Sequence, residues 1–229
     1  MAYVVVRIFS SSGDIKNGNE LSATAHRELL PQLTAAGGLI RFVTIGFSDG
    51  RYGSFSAYES QDAAKRGHQV AVEWVKNHPE AKGVNLAETM EGDVVYAAEG
   101  TVNMAGGMHG VARIYRTNAS VSDIKSAFES EGPAAIRSFV GLARYSVVKL
   151  TDGRVGTFGS FDTPDNARKS SEEARRVRAQ AGSQIGRCLP SDPQVLEGTI
   201  SGSISTELSV VVCGATVGIG SRRWCSLPR

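Results

Sequence analysis

The chain has 229 residues, of which 41% are hydrophobic, and a formal net charge of +2 at pH 7. This length and apolar content suffice for one or two buried cores. The near-balanced charge gives no reason to expect nucleic acid or an anionic membrane surface as a partner. Three cysteines without a CxxC pair predict neither a disulfide framework nor a zinc site. We expect a cytoplasmic protein with no membrane-spanning segment.

The first part of the chain predicts a strand, a helix and a second strand. Residues 3–9 form a β-branched run that is typical of a buried strand. A helix is expected over about residues 21–33, where apolar residues recur at every fourth position. Gly37 and Gly38 should end this helix. The apolar run over residues 39–47 predicts the second strand.

A hairpin, a second helix and a last strand follow. Asp49 and Gly50 lie between two strand-like runs, which predicts a type I′ turn because both central residues then need positive φ. Ser60 is a suitable N-cap for a helix over residues 61–76. A strand over residues 93–102 completes the order β-α-β-β-α-β, which is that of a ferredoxin-like unit.

The sequence also contains an internal similarity. Residues 38–75 align with residues 141–178 without gaps, at a constant offset of 103 and with eleven identical pairs. The Asp-Gly dipeptide of the hairpin is among these pairs, and a match where the backbone is most constrained favours duplication. We therefore predict two similar domains, residues 1–104 and 105–200, followed by a tail over residues 201–229.

The second strand suggests how the two halves pack. Its apolar residues fall on both sides, with Val43, Ile45 and Phe47 on one side and Ile40 and Phe42 on the other. A sheet covered by helices on one face normally shows polar residues on its other face. We therefore predict an α+β fold in which tandem ferredoxin-like repeats pack sheet to sheet as an intramolecular dimeric α+β barrel. The protein should be a monomer of this kind or a homodimer.

Three segments carry a resemblance to a known group. They are MAYVVVRIF, GGLIRFVTIGFSDGRYGSFSAYES and AVEWVKNHP. These segments resemble the opening strand, the glycine-led hairpin and the tryptophan-bearing helix of the dimeric α+β barrel superfamily, in particular its antibiotic biosynthesis monooxygenase-like proteins. The resemblance implies a small-molecule-binding barrel. Its activity would be cofactor-independent oxidation of an aromatic or apolar metabolite, and the alternative is a ligand-binding or structural barrel without catalysis.

Two residues of the second predicted helix are candidates for catalysis. A cofactor-independent oxygenase needs an apolar pocket and a cation or donor for the developing phenolate. Trp74 would line such a pocket and His68 would supply a titratable donor, whereas the alternative is that Trp74 packs in the core and His68 is partly exposed. Val177 and Ser171 take these positions in the second half. Any such chemistry is therefore expected in the first half.

Predicted buried strands carry arginines at matched positions in both halves: Arg7, Arg41, Arg113 and Arg144. A buried guanidinium must be paired or must face a polar cavity, because an uncompensated buried charge is costly. The candidate ligand-binding residues are therefore Arg7, Arg41, Phe55 and Arg144. The alternative is structural ion pairing, for example with Glu59 or Asp162.

The sequence predicts no metal and no cofactor. Its four histidines lack the close spacing to carboxylates or cysteines that marks metal sites. Haem-degrading members of the superfamily combine a first-strand asparagine with a tryptophan and a histidine ligand, whereas this first strand has Val5 and Arg7. Chlorite dismutases take their axial histidine from the second repeat, and here no histidine follows His109. Haem is therefore not expected.

Overall fold

A computed structural model of the protein describes residues 2–11, 18–81, 83–105 and 107–205. The strands are β1 (Tyr3–Ser11), β2 (Leu39–Phe47), β3 (Tyr52–Tyr58), β4 (Val84–Glu99), β5 (His109–Tyr115), β6 (Leu142–Leu150), β7 (Val155–Phe161) and β8 (Gln194–Ser205). The helices are α1 (Gly18–Thr24), α2 (Leu30–Ala35), α3 (Gln61–Asn77), α4 (Val121–Ser138), α5 (Pro164–Ala179) and α6 (Gln184–Cys188), with a π-helical turn at Ala25–Leu29 and a 3-10 turn at Pro79–Ala81. The tail was predicted from residue 201, but β8 continues to Ser205, and residues 206–229 lie outside the described residues.

The eight strands form one closed antiparallel barrel in the order β1-β3-β2-β8-β5-β7-β6-β4. The prediction of tandem ferredoxin-like repeats packed sheet to sheet is therefore wrong. Strand β2 pairs with β8, where Val43 lies opposite Ser203, and β4 pairs with β6, where Val94 lies opposite Val148. Two separate sheets would each leave two edge strands with unpaired backbone groups. Closure of the barrel pairs these edges with one another.

Closure also explains why the strands are apolar on both faces. Inward side chains such as Val4, Ile8 and Met90 form a core inside the barrel. Outward side chains such as Val5 and Phe42 pack beneath the helices. Strands such as β1 and β2 therefore bury side chains on both of their faces, one in the barrel interior and one under the helical layer.

The first hairpin has a different turn from the predicted type I′. The Phe47 N–H donates to Arg51 O over 2.9 Å, and the Gly50 N–H donates to Phe47 O over 3.1 Å. The turn therefore spans residues 47–50, and Gly50 is its last residue, with φ at +84°. This is a three-residue loop in which a type I turn is followed by a left-handed glycine. The predicted need for positive φ at Gly50 is confirmed, and the predicted turn type is wrong.

The second hairpin has the same geometry. The Leu150 N–H donates to Arg154 O over 2.9 Å, and the Gly153 N–H donates to Leu150 O over 3.0 Å. Gly153 has φ at +91°. The two aligned Asp-Gly turns thus have the same backbone conformation. The duplication itself stays a prediction.

The first helical segment is interrupted by its π-helical turn. The Leu30 N–H donates to Ala25 O, five residues back, instead of to the carbonyl four residues back. Pro31 lies next in α2 and has no N–H to give to the Arg27 carbonyl. The wider turn therefore lies where an α-helical hydrogen bond would be lost, and single π-helical turns are often found at functional sites. None of the helices in the described part of the chain is long and apolar enough to span a membrane.

Candidate functional site

The barrel wall separates the predicted site residues into two groups, because successive side chains of a strand point to opposite faces. Arg7 and Trp74 line a cavity between the outer face of the barrel and the first helices. Arg41, Phe55 and Arg144 line a cavity inside the barrel. We call these the outer cavity and the inner cavity.

The outer cavity has a volume of about 90 Å³. Its walls are largely apolar and come from β1, β2, the π-helical turn and α3. The apolar residues that line it include Leu21, Ala25, Leu29, Leu33, Phe42, Ala71, Trp74 and Val75, and the polar ones include Arg7, Ser22, Thr44 and Ser54. An apolar enclosure with a few polar groups is typical of small-molecule sites.

Trp74 forms part of the cavity wall from α3 and is 6% exposed. Its indole stacks on the imidazole of His78, with ring centroids 4.1 Å apart. His78 Nε2 lies 2.7 Å from Glu28 Oε2 in the π-helical turn. The indole Nε1–H, in contrast, has no hydrogen-bond partner among the described residues. Buried donors are normally satisfied, so this N–H is available to an acceptor atom of a ligand.

Arg7 is 4% exposed and brings a positive charge to the same cavity. Its Nη2 lies 3.2 Å from His68 Nδ1. Because a guanidinium can only donate, His68 Nδ1 must accept, and the imidazole carries its proton on Nε2. Burial and the charge of Arg7 lower the pKa of His68. His68 is therefore a neutral residue that positions Arg7. Arg7 lines the outer cavity, and His68 acts on the cavity by way of the Arg7 side chain.

A hydrogen-bonded cluster that the sequence reasoning missed adjoins the cavity. Ser22 Oγ lies 2.5 Å from Thr44 Oγ1, and His26 Nε2 lies 3.1 Å from the same oxygen. Burial lowers the pKa of His26. A Cβ on residue 202 would lie 2.5 Å from His26 Nε2, so the His26 ring fits here because Gly202 has no side chain. The four-residue spacing of Ser22 and His26 on a predicted helix was the available signal.

The apolar space beneath the helices of the second half is smaller than the outer cavity. Arg113, at the position matched to Arg7, donates to Ser170 and Ser171 over 2.6 and 2.9 Å. The space beneath α4 and α5 has a volume of only about 20 Å³ and is lined by Phe128, Tyr145 and other large side chains. Val177 lies in this wall where the first half has Trp74. The two halves therefore differ in the space beneath their helices, while a difference in chemistry between them stays a prediction.

The inner cavity holds the other predicted ligand-binding residues. Phe55 packs against Phe158 with ring centroids 5.2 Å apart. Arg41 is 6% exposed, and Arg144 forms an ion pair with Glu99. The described residues contain no cluster of three or more histidines, cysteines and carboxylates that could hold a metal ion.

Comparison with known proteins yields similarity in structure and not in sequence. No protein-family model and no curated protein matches the chain. A candidate monooxygenase from Fusobacterium nucleatum has a TM-score of 0.64 at 11% identity, covering 90% of this chain and 94% of that one. An anthrone oxidase-like protein has a TM-score of 0.58 at 13% identity, covering 89% and 93%. A chlorite dismutase from Candidatus Nitrospira defluvii has a TM-score of 0.59 at 10% identity, covering 88% and 91%.

These likenesses show that the chain shares its fold with the three proteins. Identities of 10 to 13% show the fold alone, because one fold hosts many activities. The chemistry must therefore be argued from the side chains of the outer cavity.

Proposed function

We propose that the protein binds a single-ring phenol in the outer cavity and oxidises it with O₂ without a metal or an organic cofactor. The main support for this proposal is the cavity of about 90 Å³ between Trp74 and Arg7. The corresponding space in the second half has a volume of only about 20 Å³. An aromatic wall beside one buried cation suits a ring that carries a phenolate oxygen. The candidate monooxygenase and the anthrone oxidase-like protein among the structural neighbours support this choice of reaction class.

The size of the cavity limits the substrate. A cavity of roughly 150 Å³ lined by apolar side chains takes a benzene molecule, so about 90 Å³ accommodates one ring only with small movements of the wall. We therefore assign a single ring and not a fused polycycle.

The reaction balances without an external reductant. A phenol with a free para position combines with O₂ to give a para-quinone and water, so that one oxygen atom enters the ring and the other leaves as water. The ring supplies the electrons, and the step begins when the phenol loses its proton. The positive charge of Arg7 would stabilise the phenolate.

The proton has a route away from the cavity. Ser22 and Thr44 both line the cavity. The Thr44 hydroxyl is hydrogen-bonded to Ser22 and to His26, so it connects Ser22 with the imidazole. A neutral imidazole at the end of this chain can accept a proton. In this proposal Trp74 orients the ring, Arg7 stabilises its charge and His26 receives the proton.

Binding is tested by calorimetric titration with 2-methoxyphenol as the probe. We expect Trp74→Ala to weaken binding about fivefold or more, because loss of a stacking partner costs on the order of 1 kcal/mol or more. Val177→Ala is the matched control in the second half and should leave the affinity unchanged. Equal weakening by both substitutions, or no binding to the unmodified protein, would overturn the proposal.

A further inference from the structure

The outer cavity has room for a single ring and nothing beside it. Its volume is about 90 Å³, whereas an apolar cavity that takes a benzene molecule measures roughly 150 Å³. A phenol bound between Trp74 and Arg7 therefore fills the outer cavity. Dioxygen, the second reactant of the proposed oxidation, has to reach the ring from another space.

The inner cavity is such a space. Its volume is about 80 Å³, which is several times the roughly 10 to 15 Å³ that a water-sized molecule needs. Its lining is mainly apolar and includes Val6, Val43, Ala112, Phe158 and Leu196. Apolar cavities take up apolar molecules such as xenon. Dioxygen is likewise small and apolar, so this cavity suits it.

The two arginines in this lining are engaged with other groups. Arg144 forms an ion pair with Glu99, and Arg41 also has a partner of its own. Both arginines line, in addition, an adjoining space of about 190 Å³. Glu99 lines that space too, and its side chain is 69% exposed. The adjoining space therefore leads from the inner cavity towards solvent.

The wall between the inner and outer cavities is thin. Ile45 on β2 and Ser54 on β3 line both cavities, so a single strand layer separates the two spaces there. The end of the Ile45 side chain lies on the inner face, because a Cβ built on Gly110, another inner-cavity residue, would lie 2.7 Å from Ile45 Cδ1. A flexible side-chain end therefore forms part of this wall.

The strand pairing is also interrupted at this point. Thr44 on β2 lies opposite Gly202 on β8, but the next residue, Ile45, lies opposite Ile200. Ser201 is thus an extra residue on β8, and such a β-bulge disrupts the hydrogen-bond ladder locally. Ser201 lines the outer cavity and Ile200 lines the inner cavity. The interruption therefore lies between the two cavities.

We infer that the inner cavity takes up dioxygen and that the gas reaches the outer cavity through the wall at Ile45. The inference rests on the proposed phenol oxidation, since it names the source of the second reactant. Dioxygen is small enough to cross a single strand layer during slight side-chain movements, whereas a phenol ring stays on the outer side. The two reactants thus arrive by different routes.

The first experiment locates the gas site with xenon. Crystals of the full chain under xenon pressure should hold xenon in the inner cavity, and Ala112→Leu, which enlarges a side chain of its lining, should remove it. Ala135→Leu is the matched control, because Ala135 lines the small space of the second half. If Ala112→Leu does not fold, Val43→Ile should lower the occupancy. Absence of xenon from the inner cavity of the unmodified protein would overturn the inference.

The second experiment measures how the oxidation of 2-methoxyphenol depends on dioxygen concentration. Ala112→Leu should raise the KM for dioxygen about fivefold or more, while the affinity for 2-methoxyphenol, titrated without dioxygen, stays unchanged. Ala135→Leu should change neither quantity. An unchanged KM for dioxygen in a variant that has lost its xenon would overturn the inference and leave the proposed function standing.

The third experiment does not depend on turnover. The chain has two tryptophans, Trp74 and Trp224, so Trp224→Phe leaves Trp74 as the emitter beside the outer cavity. Dioxygen quenching of Trp74 phosphorescence should slow about twofold or more when Ala112→Leu is added, because one of its diffusion routes is then filled. Quenching by acrylamide, which is larger and polar, should not change.

This quenching experiment separates the inference from the proposed function. Slower dioxygen quenching in a protein that oxidises no phenol would support the passage and contradict the oxidation. Equal dioxygen quenching with and without Ala112→Leu would overturn the passage, whatever the protein does with phenols.

Discussion

The imidazole of His78 stacks on the indole of Trp74 at an interplanar angle of 22°. His78 also contacts Glu28 in the π-helical turn over 2.7 Å. One histidine therefore joins the end of α3 to the helix on the other side of the outer cavity. This contact holds the aromatic wall of the proposed site in place.

The first prediction follows from this stacking. His78→Ala should lower the free energy of unfolding by about 1 kcal/mol, because it removes a stacked ring and a contact to a carboxylate. It should also weaken 2-methoxyphenol binding, but less than Trp74→Ala does. Denaturant unfolding and calorimetry measure the two effects. Lys76→Ala, at an exposed position near the same helix end, is the control, and an equal effect of both substitutions would contradict the prediction.

The second prediction concerns pH. Burial lowers the folded-state pKa of His26 and of His68 below the ordinary value of 6.5. Below that value the unfolded chain takes up protons that the folded protein does not, so acidification favours unfolding. The free energy of unfolding should therefore fall as the pH drops below about 6.5. His26→Gln and His68→Gln should each flatten this acid-side decline; a decline unchanged in the double variant would contradict the assignment.

The third prediction concerns the hairpin glycines. Gly50→Val and Gly153→Val should each destabilise the fold by about 1 kcal/mol or more, because a β-branched residue resists positive φ. Apart from the glycine and its two chain neighbours, no heavy atom lies within 4 Å of a Cβ built at either site, so the cost comes from the backbone and not from a clash. Gly50→Asn and Gly153→Asn are the controls, because asparagine tolerates positive φ better than valine does. Similar unfolding free energies for the valine and asparagine variants would contradict the account.

The fourth prediction concerns the buried hydroxyl and imidazole cluster. Gly202→Ala should destabilise the protein by about 1 to 3 kcal/mol, because its Cβ would overlap the His26 ring. The same substitution should cost much less in a His26→Ala background, since the clash is then absent. A double-mutant cycle of unfolding free energies measures this coupling. Additive effects would show that the ring does not depend on Gly202.

Much of the fold could be predicted from local sequence patterns. Ser60 was expected to cap the second helix, and its Oγ accepts from the Ala63 N–H over 3.2 Å. Gly50 was expected to have positive φ, and it does. The pairing of β2 with β8 and of β4 with β6 could not be predicted. Each of these pairs joins a strand of the first half to a strand of the second half, and local sequence patterns do not show such contacts. Alternation alone cannot distinguish two stacked sheets from one closed barrel.

The site was predicted only in part, for a related reason. The family resemblance suggested Trp74 and His68, and matched strand positions suggested the arginines, but neither showed which side of a closed wall each side chain faces. A register shift between Leu39 and Arg41 sets Arg41 inward, whereas Arg7 points outward. The contacts of His26 and His78 were missed, because both depend on the π-helical turn, which no periodicity in the sequence shows.

The most direct test of the central claim is oxidation of 2-methoxyphenol under ¹⁸O₂, followed by mass spectrometry of the quinone and of the water. The account predicts one labelled oxygen in the quinone and the other in water, in metal-free buffer, with the rate strongly reduced in Trp74→Ala and unchanged in Val177→Ala. If 2-methoxyphenol binds but no label enters a product above the protein-free background, the oxidation is contradicted and a ligand-binding barrel remains.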